Sequence, residues 1–268
     1  MPPFEVIEGD SPIILGQPHV GTWLPDGIAD RLTSRGQELA DTDWHIDRLY
    51  DGLLPSATVV KANFHRYLID ANRDPEGQSL YPGQNTTNLC PVTDFDGQPI
   101  WREGQEPNAD EIAERRDGYH RPYHQALADQ IERVKAKHGV AILYDCHSIR
   151  SEIPFLFEGL LPVYSIGTNV GTTCDPAIER IVTEACRDSG ESFVVNGRFK
   201  GGWTTRHYAN PEHNVHTIQM ELAQRAYLSA EKAPWEYNST VAAPLRQTLA
   251  ALLASLETAA RSGQFTKN

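Results

Sequence analysis

The feature that most constrains the fold of this chain is the alternation of short apolar runs with longer stretches of helical periodicity. The apolar runs are typical of buried β-strands, and they cover residues 12–16, 58–64, 67–70, 140–144, 163–166, 193–195 and 217–220. Helical periodicity is found over residues 27–35, 42–53, 108–137, 175–189 and 235–262. Strands separated by helices predict an α/β sheet that is covered on both faces. Because no repeat or linker divides the chain, we expect one domain over residues 1–268.

Two segments add detail to this prediction. Residues 74–107 are rich in Pro, Gly, Asn, Gln and Asp and show little periodicity. A loop of this length in a compact domain is more often functional than merely connecting. The last helical segment has an apolar stripe that predicts core packing, formed by Val241, Leu245, Leu249, Leu252 and Leu256.

The charge of the chain restricts its partners. The 24 Lys and Arg residues and 36 Asp and Glu residues give a formal net charge of −12. Nucleic acids and anionic membranes are polyanions, so we expect neither as a partner and expect a small molecule instead. No apolar run is long enough for a transmembrane helix, and no secretory signal is visible at the first residues. With four widely spaced cysteines, these features predict a reduced, soluble, cytoplasmic protein, and they leave its oligomeric state open.

Two histidines follow predicted strands. His19 comes shortly after the strand 12–16, and His147 follows the strand 140–144. In an open α/β sheet, ligands collect beyond the carboxyl ends of the strands. Two imidazoles in this position suit a metal with borderline ligand preference, most simply zinc. The alternative is that both histidines are hydrogen-bonded structural residues.

An acidic segment could supply a third ligand. In the predicted helix 42–53, Asp43, Asp47 and Asp51 lie on one face. His45 is turned away from Asp43 by about 200°, so the two side chains are not expected to bind the same ion. Alternatively, these three aspartates form a solvent-exposed face of the helix.

Two other candidates are weaker. His120 and His124 are four residues apart, but the glutamate of an H-E-x-x-H motif is missing and Pro122 lies between them. Cys146 would point away from His147 along a strand, which disfavours a cysteine nucleophile.

Longer stretches of the chain carry a family resemblance. They are PHVGTWLP (18–25), ADTDWHIDRLYD (40–51), RYLIDANRDP (66–75), LYPGQNTTNLCP (80–91), RPYH (121–124), DCHSIRSEIPFLFEG (145–159), NGRFKGGWTTRHYANP (196–211) and HTIQMELAQRAYL (216–228). In this content and order the chain resembles the N-formylglutamate deformylases, also called N-formylglutamate amidohydrolases, of bacterial histidine degradation. The resemblance spans nearly the whole chain. It implies hydrolysis of N-formyl-L-glutamate to formate and L-glutamate.

The resemblance also implies a fold and a cofactor. The fold is a phosphorylase/hydrolase-like mixed α/β sheet flanked by helices, akin to zinc carboxypeptidases and aspartoacylases. The cofactor is one catalytic zinc ion, a role that other divalent metals can also fill. Carboxypeptidase-like enzymes have a His-x-x-Glu motif, but Thr22 stands three residues after His19. The acidic ligand must therefore come from elsewhere, and Asp43 is the candidate.

The resemblance implies roles for the residues that bind the metal and for those that act on the reacting atoms. The expected metal ligands are His19, Asp43 and His147. Glu221, at the end of the strand 217–220, matches the glutamate that resembles the carboxypeptidase general base. The alternative is a surface glutamate paired with Arg225. Arg66 is expected to stabilise the oxyanion of the tetrahedral intermediate.

N-formylglutamate has two carboxylates, so its pocket requires planar, bidentate donors. We expect Asn72 and Arg73 to hold one carboxylate and Arg206 to reach the other. Thr204 or Thr205 would add a hydroxyl donor.

The sequence is also compatible with two alternative functions. A related enzyme would remove the acyl group of another N-acyl acidic amino acid, such as N-formylaspartate or N-acetylaspartate. The second alternative is a non-catalytic protein of the same fold that binds small anions.

Overall fold

A seven-stranded mixed sheet forms the centre of the computed structural model, which describes residues 1–78, 83 and 85–266. The strands are β1 (Phe4–Ile7), β2 (Ile13–Gln17), β3 (Thr58–Ala62), β4 (Ala141–Ile149), β5 (Tyr164–Gly167), β6 (Phe193–Val195) and β7 (Val215–Ala223). Their order across the sheet is β1-β3-β2-β4-β7-β5-β6. The four central strands β3, β2, β4 and β7 run parallel to one another, while β1 and β5 are antiparallel to their neighbours β3 and β7.

In the described residues, eight α-helices connect and cover these strands. They are α1 (Ile28–Arg31), α2 (Ser34–Gln37), α3 (Ile46–Tyr50), α4 (Ala109–Arg115), α5 (Arg121–His138), α6 (Pro176–Asp188), α7 (Trp203–Tyr208) and α8 (Ser239–Arg261). A π-helical turn, Arg116–His120, joins α4 to α5. None of the helices in the described part of the chain has the length and apolar character needed to cross a membrane.

Apolar residues of the central strands divide between the two faces of the sheet. Ile142 and Tyr144 belong to one core cluster with α3, α6 and α8, whereas Leu143 belongs to a second cluster with α5. Each strand residue points to the opposite face from its neighbour, so helices on both faces bury an all-apolar strand. This arrangement confirms the predicted α/β class with helices on both faces. In α8, Leu249 and Leu252 are fully buried, as the apolar stripe predicts, but Val241 near the start of the helix is exposed, so the prediction is wrong for that residue.

The predicted strand at residues 67–70 is wrong. The segment turns, because Leu68 N–H donates to His65 O (2.9 Å) and Asp70 N–H donates to Leu89 O (2.7 Å). Tyr67, Leu68 and Ile69 are buried, so the apolar run reflects burial and not a pleated strand. The turn brings Arg66 within 2.7 Å of Asp70.

Several element boundaries also differ from the prediction. The predicted helix 42–53 shrinks to α3, because His45 has a left-handed backbone (φ 60°) that a helix interior does not accept. The predicted helix 27–35 is split into α1 and α2 at extended Leu32 and Thr33. The strand β1 and the helix α7 were not predicted. Part of the quoted stretch 80–91 lies outside the described residues.

Candidate active site

A cavity opens at the carboxyl ends of the parallel strands β2, β4 and β7. The polar and charged residues of its lining include His19, Asp43, Arg66, Asn72, Arg73, His147, Arg198, Gln219 and Glu221. Residues 85–89 of the long polar loop also line it. The cavity therefore lies where ligands collect in an open α/β sheet.

His19 follows the end of β2 and is buried. Its Nε2 lies 2.7 Å from Asp70 Oδ1, and Asp70 Oδ2 lies 2.7 Å from Arg66 Nη2. Burial would raise the pKa of Asp70, but the guanidinium groups of Arg66 and Arg73 hold it well below its usual range. An ionised carboxylate only accepts hydrogen bonds, so His19 Nε2–H donates to Asp70 and the ring turns Nδ1 towards Asp43.

His147 lies inside β4 and not beyond its end, because the strand continues to Ile149. Its Nε2 lies 3.1 Å from Asp145 Oδ2, and its Nδ1 lies 3.2 Å from Asp43 Oδ2. Burial would lower the pKa of the His147 imidazole, but the carboxylates of Asp145 and Asp43 outweigh burial and raise it well above its usual value. The position therefore stabilises positive charge.

Asp43 lies between the two imidazoles. Its Oδ2 accepts the backbone N–H of Ser148 (3.1 Å) and lies 3.7 Å from His19 Nδ1. Burial would raise the pKa of Asp43, but the neighbouring imidazoles of His147 and His19 hold it below its usual range. His45 does not take part, because its Nε2 is hydrogen-bonded to the backbone oxygen of Trp235 (2.7 Å).

The donor set of this cluster fits a metal ion. One ligand atom from each of His19, Asp43 and His147 lies within 4.8 Å of the others, and all three residues are buried. Each imidazole is fixed by a carboxylate on Nε2, the arrangement that orients metal-bound histidines. His19 Nδ1 is buried and has no hydrogen-bond partner within the described ranges. A cation would satisfy this nitrogen together with the Asp43 carboxylate.

Glu221 lies inside β7, directly opposite His147 in the parallel register of β4 and β7. It is 7% exposed, and its Oε2 accepts a hydrogen bond from Gln219 Nε2 (3.1 Å). Burial raises the pKa of Glu221 to about 8 against the attraction of His147. Arg225 does not pair with it, since Arg225 Nη1 donates to Ser151 Oγ (2.6 Å). The alternative of a surface glutamate is therefore wrong.

Arg66, Asn72 and Arg73 all line the cavity. Arg66 is buried, and its Nε finds no hydrogen-bond partner in the part of the chain that the structure describes. Asn72 Nδ2 lies 3.2 Å from His147 Nε2. Arg73 donates from Nε to Thr87 O (3.0 Å), so it is anchored by the long polar loop.

Thr204, Thr205 and Arg206 lie on α7, and none of them is among the described residues that line the cavity. Thr205 Oγ1 donates to Asp145 Oδ2 (3.1 Å), and Arg206 Nε donates to Gly201 O (2.9 Å). The backbone N–H of Thr204 donates to Asn72 Oδ1 (2.9 Å). The helix approaches Asn72 closely through Gly202, where a Cβ atom would lie 2.3 Å from Asn72 Nδ2. Helix α7 therefore does not line the cavity itself, but contacts Asn72, which does.

Arg198 lines the cavity and was missed in the sequence. It donates from Nε to Leu156 O and from Nη2 to Asn85 O (both 3.0 Å), so it connects two loops at the cavity. The stretch 196–211 contains Arg198 and Arg206, and spacing alone does not distinguish them. Cys146 points into the apolar core, where burial raises the pKa of its thiol well above the usual value.

The fold and the site together define an α/β protein with a buried His–Asp–His cluster that is compatible with a metal, and with a glutamate beside it. Comparisons with known proteins make this class specific. The model of the N-formylglutamate amidohydrolase family matches residues 11–228, and the chain belongs to this family. The predicted family is thus confirmed, and with it the class of amidohydrolase enzymes.

Relatives and solved structures agree with this assignment. The N-formylglutamate deformylase of Pseudomonas aeruginosa is 43% identical over 250 residues, which are 92% of this chain and 93% of the relative. That of Pseudomonas putida is 42% identical over 253 residues, 92% and 94% of the two chains. The crystal structure of an N-formylglutamate amidohydrolase from Ralstonia eutropha JMP134 superposes with a TM-score of 0.81 at 24% identity, covering 98% of this chain and 100% of the other. This last likeness shows the fold.

Proposed function

We propose that this protein hydrolyses N-formyl-L-glutamate to formate and L-glutamate with the help of one zinc ion. The observation that carries the proposal is the placement of a His–Asp–His cluster, Glu221 and several arginines around one buried cavity. The deformylase activity in the names of both Pseudomonas relatives supports it. We place the reaction in cytoplasmic histidine degradation on the family resemblance.

We assign the zinc ion to His19 Nδ1, His147 Nδ1 and the Asp43 carboxylate. Three protein ligands with an open position are typical of catalytic zinc, which lowers the pKa of a water molecule towards about 7 and polarises a carbonyl group. Asp70 and Asp145 fix the two imidazole rings through their Nε2 atoms. Both rings are therefore oriented with Nδ1 towards Asp43 before any ion binds.

Glu221 is assigned as the general base and acid. It takes a proton from the attacking water and delivers it to the amine nitrogen of the departing glutamate. Its burial favours the protonated form, with the pKa near 8 in the absence of a cation. A carboxyl group in this position can both accept and return a proton near neutral pH. Arg66, with its buried Nε–H, is assigned to the oxyanion of the tetrahedral intermediate.

Arginine side chains would recognise the two carboxylates of the substrate. Arg73, with Asn72, is assigned to one carboxylate, as the resemblance implies. Arg198 is assigned to the other in place of Arg206, because Arg198 lines the cavity. A chain with a net charge of −12 attracts a dianion only through such local groups.

Zinc content and formate release test the proposal directly. Elemental analysis should find about one zinc ion per chain in the native protein, and His19→Ala and His147→Ala should lose both zinc and activity. N-formylglutamate should be the best substrate in a panel of formyl, acetyl and succinyl derivatives of glutamate and aspartate. Zinc without formate release would favour an anion-binding protein, and a preference for another derivative would favour a different deacylase.

Carboxylate recognition has its own test. Loss of one charge-assisted contact costs on the order of 2 kcal/mol, so N-formylglutamine should be roughly 30-fold poorer in kcat/KM than N-formylglutamate. Arg198→Leu should reduce this preference, while the matched variant Arg206→Leu should retain it. Equal rates for both substrates in the native protein would contradict recognition of two carboxylates, and loss of the preference only in Arg206→Leu would restore the assignment to Arg206.

A further inference from the structure

Two histidines outside the cavity hold the backbone that carries Asn72 and Arg73. His124 Nε2 lies 2.7 Å from Ala71 O, and His120 Nε2 lies 3.0 Å from Arg73 O. Both imidazoles are buried, with exposures of 2% for His120 and 8% for His124. One histidine therefore contacts the carbonyl group before Asn72, and the other contacts the carbonyl group after it.

Within the described residues, this backbone segment has no strand partner. Residues 71–73 form a turn, in which Asn72 N–H donates to Asp70 Oδ1 (2.8 Å) and Asn72 O accepts from Arg73 Nη1 (3.0 Å). The remaining two carbonyl groups depend on side-chain donors. A buried carbonyl group without a donor is costly, so the position of the segment depends on the two imidazoles.

The protonation state of the two histidines agrees with this role. Burial lowers the pKa of His120, and it lowers the pKa of His124 well below its usual value, so both rings are neutral. A neutral ring has one N–H, and an acceptor such as Ala71 O fixes it on Nε2. On its other side, His124 Nδ1 lies 2.9 Å from the Tyr208 hydroxyl, which donates to the backbone oxygen of His124 (2.9 Å).

The rings are also held from the side of α7. The indole of Trp203 lies 4.7 Å from the His124 ring and 5.5 Å from the His120 ring, between ring centres. The next residue, Thr204, donates its backbone N–H to the side chain of Asn72. The π-helical turn, α5 and α7 therefore all make hydrogen bonds to residues 71–73.

We propose that His120 and His124 are positioning residues, which fix Asn72 and Arg73 in the geometry that binds a substrate carboxylate. The inference rests on the proposed function for the substrate, but the restraint on the backbone does not. A misplacement of about 1 Å at a binding group can cost a hundredfold in rate, so the restraint matters for turnover.

The experiment compares variants that remove and restore the donor. His124→Leu removes it, and His124→Gln places an amide N–H near the position of Nε2. The matched control is His216→Leu, because His216 is equally buried and its Nε2 lies 3.1 Å from Phe265 O, away from the cavity. Each variant is assayed for KM and kcat with N-formylglutamate and for hydrogen–deuterium exchange of the amides of residues 70–74.

We expect His124→Leu to raise KM about tenfold to a hundredfold with a smaller change in kcat, and to accelerate exchange in residues 70–74. His124→Gln should recover most of the loss, and His216→Leu should leave KM and this exchange unchanged. If His124→Leu does not fold, His120→Leu replaces it with the same expectations.

The outcomes separate the two proposals. An unchanged KM in a folded variant without the donor would overturn the inference, as would an equal rise of KM in His216→Leu. If the native protein does not release formate, the proposed function fails, and exchange in residues 70–74 still decides whether the histidines restrain the segment. Unchanged exchange in that case would overturn the restraint as well.

Discussion

Replacement of Glu221 by glutamine separates the chemical step from binding. The change keeps the shape of the side chain and its hydrogen bond from Gln219, and it leaves His19, Asp43 and His147 untouched. We therefore expect the variant to retain zinc and to bind N-formylglutamate. Loss of the general base should lower kcat by a factor within or above the ~10²–10⁴ typical of general acid–base catalysis.

The same variant should change the pH dependence of stability in the metal-free protein. With the pKa of Glu221 near 8 in the folded state and 4.5 as its ordinary value, the folded protein holds a proton that the unfolded chain releases between these pH values. Native stability therefore falls as pH rises through this window. At about 1.4 kcal/mol per pH unit, the loss is about 4 kcal/mol between pH 4.5 and pH 8 and approaches about 5 kcal/mol only above pH 8.

Glu221→Gln does not titrate, so it should escape this loss. Urea unfolding of both metal-free proteins at pH 4.5 and pH 8 measures the difference in the free energy of unfolding, which should shift in favour of the variant by about 4 kcal/mol. Zinc content, substrate Kd and single-turnover rate are measured on the zinc-loaded proteins. The matched control is Glu231→Gln, since Glu231 accepts hydrogen bonds from Ser151 and Arg225 outside the cavity. Its kcat should not change.

Near-native turnover by a folded, zinc-loaded Glu221→Gln protein would refute the assignment of the general base. A second refuting result is a difference in stability between variant and native protein that stays constant from pH 4.5 to pH 8. That result would refute the conclusion that Glu221 is protonated in the folded, metal-free protein. The two results are independent, because the first concerns the loaded enzyme and the second the metal-free protein.

Three further predictions concern the metal and the core. Asp43→Ala should lose zinc by elemental analysis while His45→Ala retains it, and the opposite ranking would move the third ligand to His45. Asp70→Asn should weaken zinc binding 10- to 100-fold in competition with a chelator, because it removes the carboxylate that orients an imidazole ligand, and an unchanged Kd would contradict this. Leu249→Ala should cost about 2–5 kcal/mol in urea unfolding, whereas exposed Val241→Ala should stay within about 0.5 kcal/mol, and equal losses would contradict the packing of α8.

Much of the fold could be predicted because burial leaves a strong pattern in the sequence. The run 140–144 is apolar throughout, as expected for a parallel strand covered on both faces, and most of it lies in β4 at the centre of the sheet. The run 67–69 is also apolar, yet it forms a turn before Asp70. Apolar character reports burial, and it does not report the backbone conformation of a short segment.

The His–Asp–His cluster and Arg73 could be proposed from the sequence, whereas Arg198 could not. His19 and His147 could be proposed from strand ends, because strand topology brings such ends together. The choice between Arg198 and Arg206 depends on the short helix α7, which starts at Trp203 and turns Arg206 back towards Gly201 O. No periodicity can be read from a helix of six residues, so that choice required the structure.

The pairing of His147 with Glu221 shows why such a site is a property of the whole sheet. The two residues are opposite each other only because β4 and β7 run parallel in a fixed register. A shift of one residue in that register would turn Glu221 to the other face, where Cys146 lies in the apolar core. Moving the carboxyl group of Glu221 into that core is far more costly than keeping it beside His147 and the amide of Gln219. The same apolar residues that stabilise the sheet therefore fix the register, and the register places Glu221 beside His147.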